Sequence, residues 1–145
     1  MRFDLHPFGA VDDARAWAVA EIDAAAASAR GRFITTAAGQ DATYRAKYDE
    51  AARFIAADYP ADVSAYPWIA AESSRSGMAP RAAADRIKQR GDVWNQVLGP
   101  AIEGFRIAGK GSVAAAATVA VIVRAVRLVI DQLAQITEEG APAAD

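Results

Sequence analysis

The chain has 145 residues, of which 53% are hydrophobic and about a quarter are alanine, and its net charge is −2. This balance disfavours nucleic-acid binding, which normally goes with a basic excess on one face. The absence of cysteine excludes disulfides, thiolate metal sites and thiol nucleophiles. Because alanine is the best helix former and buries little surface, we expect an all-α, elongated helical bundle.

Residues 1–10 are predicted to form an extended N-terminal arm. Phe3 and Leu5 alternate with polar residues there, and Pro7 prevents a longer regular element. The single histidine, His6, lies in this arm without a second ligand or a nucleophile nearby in the sequence. We therefore expect the arm to dock on a neighbour or form a short strand, and to hold no metal ion.

The first predicted helix begins at Asp12 or Asp13 and ends by Thr35. Either aspartate can cap the helix, because its carboxylate accepts the free N–H groups of the first turn. Apolar residues recur at spacings of three and four, as expected for one buried helix face. This stripe contains Ala14, Ala18, Ile22, Ala25, Ala29 and Phe33.

The next helices are punctuated by glycine and proline. A second helix, about 41–57, places Tyr44 and Tyr48 on one face. A short third helix, roughly 67–75, begins at a proline and ends at Gly77. A fourth helix follows from Pro80, and we expect a kink or break in the region 99–111.

That expectation rests on Gly99, Pro100, Gly109 and Gly111. Proline removes a helical hydrogen bond and crowds the preceding turn, so Pro100 should distort the fourth helix. The two later glycines should then mark a hinge or a close-packing point on the way into a long C-terminal helix at about 112–137. In total the sequence predicts four to five helices.

The C-terminal helix carries the strongest periodicity, a heptad-like seam in which spacings of three and four alternate. The seam contains Val119, Ile122, Val126, Val129, Leu133 and Ile136. Val121 and Leu128 widen the apolar face, and Arg124, Arg127 and Asp131 lie opposite. Two interpretations follow: the seam is the core of an intramolecular bundle, or it is also an oligomer or partner interface.

A membrane span is not expected for this helix. A span needs about 20 predominantly apolar residues. Residues 111–123 are uncharged, but Arg124, Arg127 and Asp131 would then lie in the hydrocarbon at high cost. We therefore predict no membrane span.

Catalytic chemistry is not expected either. Residues 104–110 have the glycine and lysine spacing of a phosphate-binding loop, but Gly111 stands where that loop needs Ser or Thr. No Ser-His-Asp set, metal-ligand spacing or acid/base pair stands in convincing context. We predict no enzyme activity, no catalytic residue, no cofactor and no metal.

The predicted organisation has three parts. Residues 1–10 form the arm, residues 11–137 form a single helical domain, and residues 138–145 form a flexible tail.

Several short motifs, in a fixed order, resemble a group of small alanine-rich helical proteins encoded among the tail and tail-fibre genes of tailed bacteriophages and prophages. The resemblance covers roughly residues 15–120. Its motifs are Ile22-Asp23-Ala24-Ala25-Ala26, Arg32-Phe33-Ile34-Thr35, Gly39-Gln40, Thr43-Tyr44, Lys47, Glu50-Ala51, Tyr66-Pro67, Ala71-Glu72 and Arg106-Ile107-Ala108-Gly109-Lys110.

The resemblance implies a non-enzymatic structural or accessory component of the virion, associated with the tail or tail fibre. Its partners would be other phage structural proteins and further copies of itself, without nucleic acid, and it would assemble in the host cytoplasm. The alternative is an assembly chaperone for the tail or tail fibre that is absent from the mature particle. The similar sequences have no defined functional residues, so none is transferred to this chain.

Overall fold

The structure is a computed structural model that describes residues 9–34 and 39–140. These residues are 78% helical and include no strand, which confirms the predicted all-α class. The elements are α1 (Val11–Gly31), α2 (Gln40–Ala56), α3 (Pro67–Ser76), α4 (Pro80–Val93), a π-helical turn (Trp94–Leu98), α5 (Gly99–Ala115) and α6 (Val119–Ala134). The predicted arm lies outside the described residues except for positions 9 and 10, as does the predicted tail beyond residue 140.

The start of α1 differs from the prediction. Its N-cap is Ala10, so Asp12 and Asp13 lie within the first turn and neither caps the helix. Both carboxylates remain favourably placed there, because the N-terminus of a helix carries a partial positive charge. The helix ends at Gly31, four residues before the predicted limit at position 35.

The prolines and glycines around α3 act as predicted. Pro67 and Pro80 are the first residues of α3 and α4, where the missing N–H has no helical partner to lose. Gly77 ends α3 with a φ of 73°, a left-handed conformation that glycine adopts without steric cost.

The expected distortion at Gly99 and Pro100 is a π-helical turn. The turn spans Trp94–Leu98, directly before Gly99, and the chain continues into α5 without a coil residue. A π turn replaces i→i+4 hydrogen bonds by i→i+5 bonds. The change of hydrogen-bond register therefore coincides with Pro100, the residue that cannot donate to the carbonyl group four positions earlier.

The predicted C-terminal helix at about 112–137 is wrong at both ends. Helix α5 continues through Gly109 and Gly111 to Ala115, and α6 begins only at Val119. The backbone instead becomes extended at Ala116, with ψ of 132°. The Thr118 side chain then caps α6 by accepting the Val121 N–H at 3.3 Å.

Residue contacts divide the chain into two compact units. Unit 1 (residues 1–34 and 97–145) contains α1, α5 and α6, and unit 2 (residues 35–96) contains α2, α3 and α4. The single helical domain predicted over residues 11–137 remains a prediction.

In unit 1, each of the three helices packs against the other two around an aliphatic core. Arg15 of α1 and Arg32, the residue directly after α1, donate to carbonyl groups at the ends of α5 and α6. Arg15 Nη2 donates to the carbonyl oxygen of Ala116, the residue that ends α5, at 2.8 Å. Arg32 donates to the carbonyl oxygens of Leu133 and Ala134 in the last turn of α6 at 2.6 and 3.0 Å. A cation is favourable at these positions because the C-terminus of a helix carries partial negative charge.

Unit 2 is built around Phe54. The rings of Tyr59 and Tyr66 meet it edge-on, with centroids 5.8 and 5.0 Å away. Glu50 is the one buried charged residue of the described chain, and its Oε2 accepts the Ile69 N–H at 2.7 Å. Because Ile69 is the third residue of α3, a side chain of α2 here satisfies a free N–H group of α3.

Candidate interaction surface

The seam of α6, predicted as a possible interface, lies in the core of unit 1. Ile122, Val126, Val129, Leu133 and Ile136 are buried, and Val119 is partly buried. Helix α6 packs against both α1 and α5, and this packing buries the seam within unit 1. The intramolecular interpretation is the one that the geometry supports. A role of these six side chains in joining subunits remains a prediction.

Gly109 explains how closely α5 approaches α6. A Cβ atom at this position would lie 2.3 Å from Val129 Cγ2 and 3.3 Å from Ile22 Cδ1. Real Cβ atoms are not found at the first distance, so the residue must be glycine unless the helices move apart. Of the two interpretations of Gly109, a hinge or a close-packing point, the geometry supports close packing.

The opposite side of α6 presents apolar side chains to solvent. Val121 is 42% exposed and Leu128 is 58% exposed. Arg124, Asp131 and Gln135 are also exposed, and their spacing places them on the same helix face. We call these five residues the outer face of α6.

The two charged side chains of the outer face, Arg124 and Asp131, have no ionic partner in the described part of the chain. Neither the Arg124 guanidinium nor the Asp131 carboxylate forms an ion pair or hydrogen bond with another described residue. They are seven residues apart, about 10 Å along the helix axis, too far to pair with each other within one helix. The outer face thus combines two exposed apolar side chains with one unpaired charge of each sign.

The sequence analysis counted Val121 and Leu128 with the apolar face of the helix and placed Arg124 and Asp131 opposite it, whereas Val121 and Leu128 are exposed in the structure. Both residues share a helix face with Arg124 and Asp131, at spacings of three, four and seven. That shared face was the signal available in the sequence. It was masked by the apolar residues that cover most of the remaining circumference of α6.

On α5, the charged residues all point towards α1. Glu103 pairs with Arg30 at 3.0 Å, and Arg106 pairs with Asp23 at 3.0 Å. Lys110 also pairs with Asp23, at 2.6 Å, and its hydrogen bond is the main reason why the pKa of Asp23 lies below its ordinary value. Lys110, the lysine of the phosphate-loop-like segment, is therefore an interhelical ion-pairing residue within an α-helix.

The solvent side of α5 is uncharged. Ile107 is 59% exposed, and Cβ atoms added at Gly104 or Gly111 would meet no atom within 4 Å. Among the described residues, nothing packs against either of these two positions, in contrast to Gly109.

In unit 2, Glu72 of α3 joins two other helices. It accepts from Lys47 of α2 at 2.5 Å and from Arg86 of α4 at 2.8 Å. The hydrogen bond from Lys47 is the main cause that holds the pKa of Glu72 below its ordinary value, with burial opposing it.

A second polar cluster joins Tyr48 to α4. The Tyr48 hydroxyl donates to Asp92 Oδ1 at 2.8 Å, and Lys88 pairs with the same carboxylate at 2.8 Å. Lys88 is the main cause that lowers the pKa of Asp92. The ring of Tyr48 lies against Gly91, where a Cβ atom would be 2.1 Å from Tyr48 Cδ2. Tyr48 is therefore a packing residue between α2 and α4.

Comparisons of the chain with protein-family models, curated proteins and solved structures find no match. Within residues 9–34 and 39–140, no helix has the combination of length and hydropathy that crossing a bilayer requires. Over the same residues, no three His, Cys, Asp or Glu side chains are grouped so that they could hold a metal ion.

Proposed function

We propose that the protein is a non-enzymatic structural or accessory component of a bacteriophage tail or tail fibre. It is located in the virion and acts by binding other phage structural proteins and further copies of itself. The observation that carries the binding role is the outer face of α6, and the phage context comes from the motif resemblance over residues 15–120.

The outer face supports a protein partner because Val121 and Leu128 leave apolar atoms exposed to solvent, at 42% and 58% of their surface. Single exposed apolar residues are common on protein surfaces. Val121 and Leu128 are instead two turns apart on one face of a regular helix, so one partner helix can cover both. Covering them stabilises a complex by about 25 cal/mol for each Å² of apolar surface removed from water.

The arrangement of charged groups supports a structural role. The carboxylates of Asp23, Glu72 and Asp92 all have lowered pKa values, and each is held by cations of a neighbouring helix or turn. A general acid or base at neutral pH needs a pKa moved towards 7. These three groups have shifted in the other direction, as ion pairs that fasten helices do.

Quantitative mass spectrometry of gradient-purified particles and of the infected-cell lysate tests the proposal. We expect peptides of this chain to co-purify with tail proteins at a constant ratio through the gradient. Peptides present in the lysate and absent from the particles would contradict a virion component and support the assembly chaperone. A strain without the phage genes provides the background control.

A further inference from the structure

We infer that the outer face of α6 binds the same face of a second copy of this chain, with the two α6 helices antiparallel about a twofold axis at Leu128. This inference rests on the proposed function, because it names the partner of the surface to which that proposal assigns binding. It moves the expected self-association from the buried seam of α6 to the opposite side of the helix.

The order of residues along the face is what selects the partner. Arg124 lies four residues before Leu128 and Asp131 lies three residues after it. When two copies run antiparallel with their Leu128 side chains together, Arg124 of each copy lies within one residue of Asp131 of the other. One residue is about 1.5 Å along the axis, an offset that an arginine side chain spans easily. Two equivalent ion pairs then flank an apolar centre.

A parallel arrangement of the same faces is disfavoured by the same charges. It would place Arg124 beside Arg124 and Asp131 beside Asp131, and like charges at an interface oppose association. The pattern thus fits an isologous pair, in which one surface is complementary to itself and the assembly closes.

The apolar residues fit the same geometry. The two Leu128 side chains, each 58% exposed, meet at the axis. Val121, seven residues before Leu128, faces Gln135, which lies seven residues after it, so the Val121 methyl groups cover the methylenes of Gln135. The contact between Val121 and Gln135 extends over about four helical turns of each copy. The surface buried in the pair should therefore be below about 1,200 Å², the range of weak, concentration-dependent interfaces.

The charges provide a direct test by reciprocal substitution. Arg124→Glu makes the face acidic at both positions, and Asp131→Arg makes it basic at both. Analytical ultracentrifugation should show each variant alone to self-associate at least about tenfold more weakly than the wild type, since two favourable pairs become two repulsions. An equimolar mixture of the two variants should recover association, because every contact is again between opposite charges.

Cysteine cross-linking tests the direction of the helices, and the chain has no native cysteine to interfere. Leu128→Cys should form a disulfide-linked dimer under mild oxidation, because the twofold axis brings the two sulfur atoms together. Val121→Cys alone should not, whereas a mixture of Val121→Cys and Gln135→Cys should. Ile107→Cys, an equally exposed position on α5, is the control for random collision.

Three results would overturn the inference: a wild-type chain that stays monomeric at the highest soluble concentration, cross-linking of Val121→Cys with itself, or a mixture of charge variants that stays monomeric. A monomer whose outer face binds another tail protein would also overturn it while leaving the proposed function intact. Conversely, a twofold pair confirmed in solution with no chain in the particles would refute the virion role alone. Circular dichroism of each variant checks that it is folded.

Discussion

The two units of this alanine-rich chain are stabilised by different chemistry. In unit 1, small residues of α1 and branched residues of α6 form an aliphatic core, and polar contacts lie at its edges. In unit 2, three helices surround Phe54, and the buried Glu50 accepts a hydrogen bond from a backbone N–H of α3 that has no partner within that helix. The stability of unit 2 thus depends on polar side chains that bond one helix to another. The stability of unit 1 depends mainly on buried apolar surface and on the close approach of its helices.

The difference teaches where a chain of this composition can carry a binding surface. In unit 1 the seam of α6 supplies enough apolar area for the core, so the other side of the same helix is left exposed. In unit 2, Lys47 of α2 and Arg86 of α4 hold their helices to α3 through Glu72. The candidate interaction surface, the outer face of α6, lies on unit 1.

The largest expected effect is that of Val126→Asp, which should unfold unit 1. Val126 is fully buried, and an unpaired charge there costs several kcal/mol. Trp17 is the only tryptophan of unit 1, so its fluorescence in a Trp68→Phe/Trp94→Phe background reports on this unit. Ala120→Asp, at an exposed position in the first turn of α6, is the matched control and should be nearly neutral. Equal loss from both substitutions would contradict the assignment of the buried seam.

Next in size is the contrast between two glycines of α5. Gly109→Ala should lower the free energy of unfolding by about 1–3 kcal/mol, because its Cβ atom would overlap Val129. Gly111→Ala should raise it by up to about 1 kcal/mol, because alanine is the better helix former and the site is open. Urea unfolding followed by Trp17 fluorescence measures both. A stabilising Gly109→Ala would show that α5 does not approach α6 as described.

In unit 2, Glu50→Gln should lower the free energy of unfolding by about 1–3 kcal/mol. Glutamine can still accept the Ile69 N–H, but it brings a buried NH₂ group without a described acceptor. A Trp17→Phe background leaves Trp68 and Trp94 as reporters of unit 2. In unit 1, Asp23→Asn should have a smaller effect, since the Asp23 side chain is 45% exposed. A larger loss of unfolding free energy from Asp23→Asn than from Glu50→Gln would contradict this comparison of the units.

The smallest expected difference between the units is in how much stability each loses at acid pH. The pKa of Glu72 is below its ordinary value of 4.5 in the folded chain, so its ion pairs stabilise unit 2 above that pH. This contribution is lost as the pH falls from about 4.5 through the folded pKa, because the unfolded chain takes up the proton first. Asp23 behaves similarly in unit 1 but is more exposed. Between pH 7 and 3, unit 2 should lose more stability, and Glu72→Gln should reduce the difference between the units.

Much of the fold could be predicted from local chemistry. Pro67, Gly77 and Pro80 mark helix ends through their own backbone restrictions, and no distant contact is needed to interpret them. Gly109 shows the limit of that reasoning. Its local preference suggests a helix end, but its packing against Val129 keeps it inside α5. Likewise, the capping of α3 by Glu50 joins residues 19 positions apart and has no sequence pattern.

The candidate surface was predicted only in part for a related reason. Periodicity identified the seam, which is buried, but α6 is apolar on so much of its circumference that Val121 and Leu128 were counted with the same apolar face. The packing of α1 and α5 around the seam makes that distinction, and it depends on contacts distant in sequence, such as Arg32 with Leu133.

The most direct test of the central claim, that the protein acts in the particle through the outer face of α6, is to measure incorporation of two matched variants. Leu128→Asp and Ile107→Asp place the same charge at positions that are 58% and 59% exposed in the same unit, so both should fold. Mass spectrometry of purified particles should find Ile107→Asp at the wild-type ratio to tail proteins and Leu128→Asp strongly depleted. Incorporation of Leu128→Asp at the wild-type ratio would contradict the account.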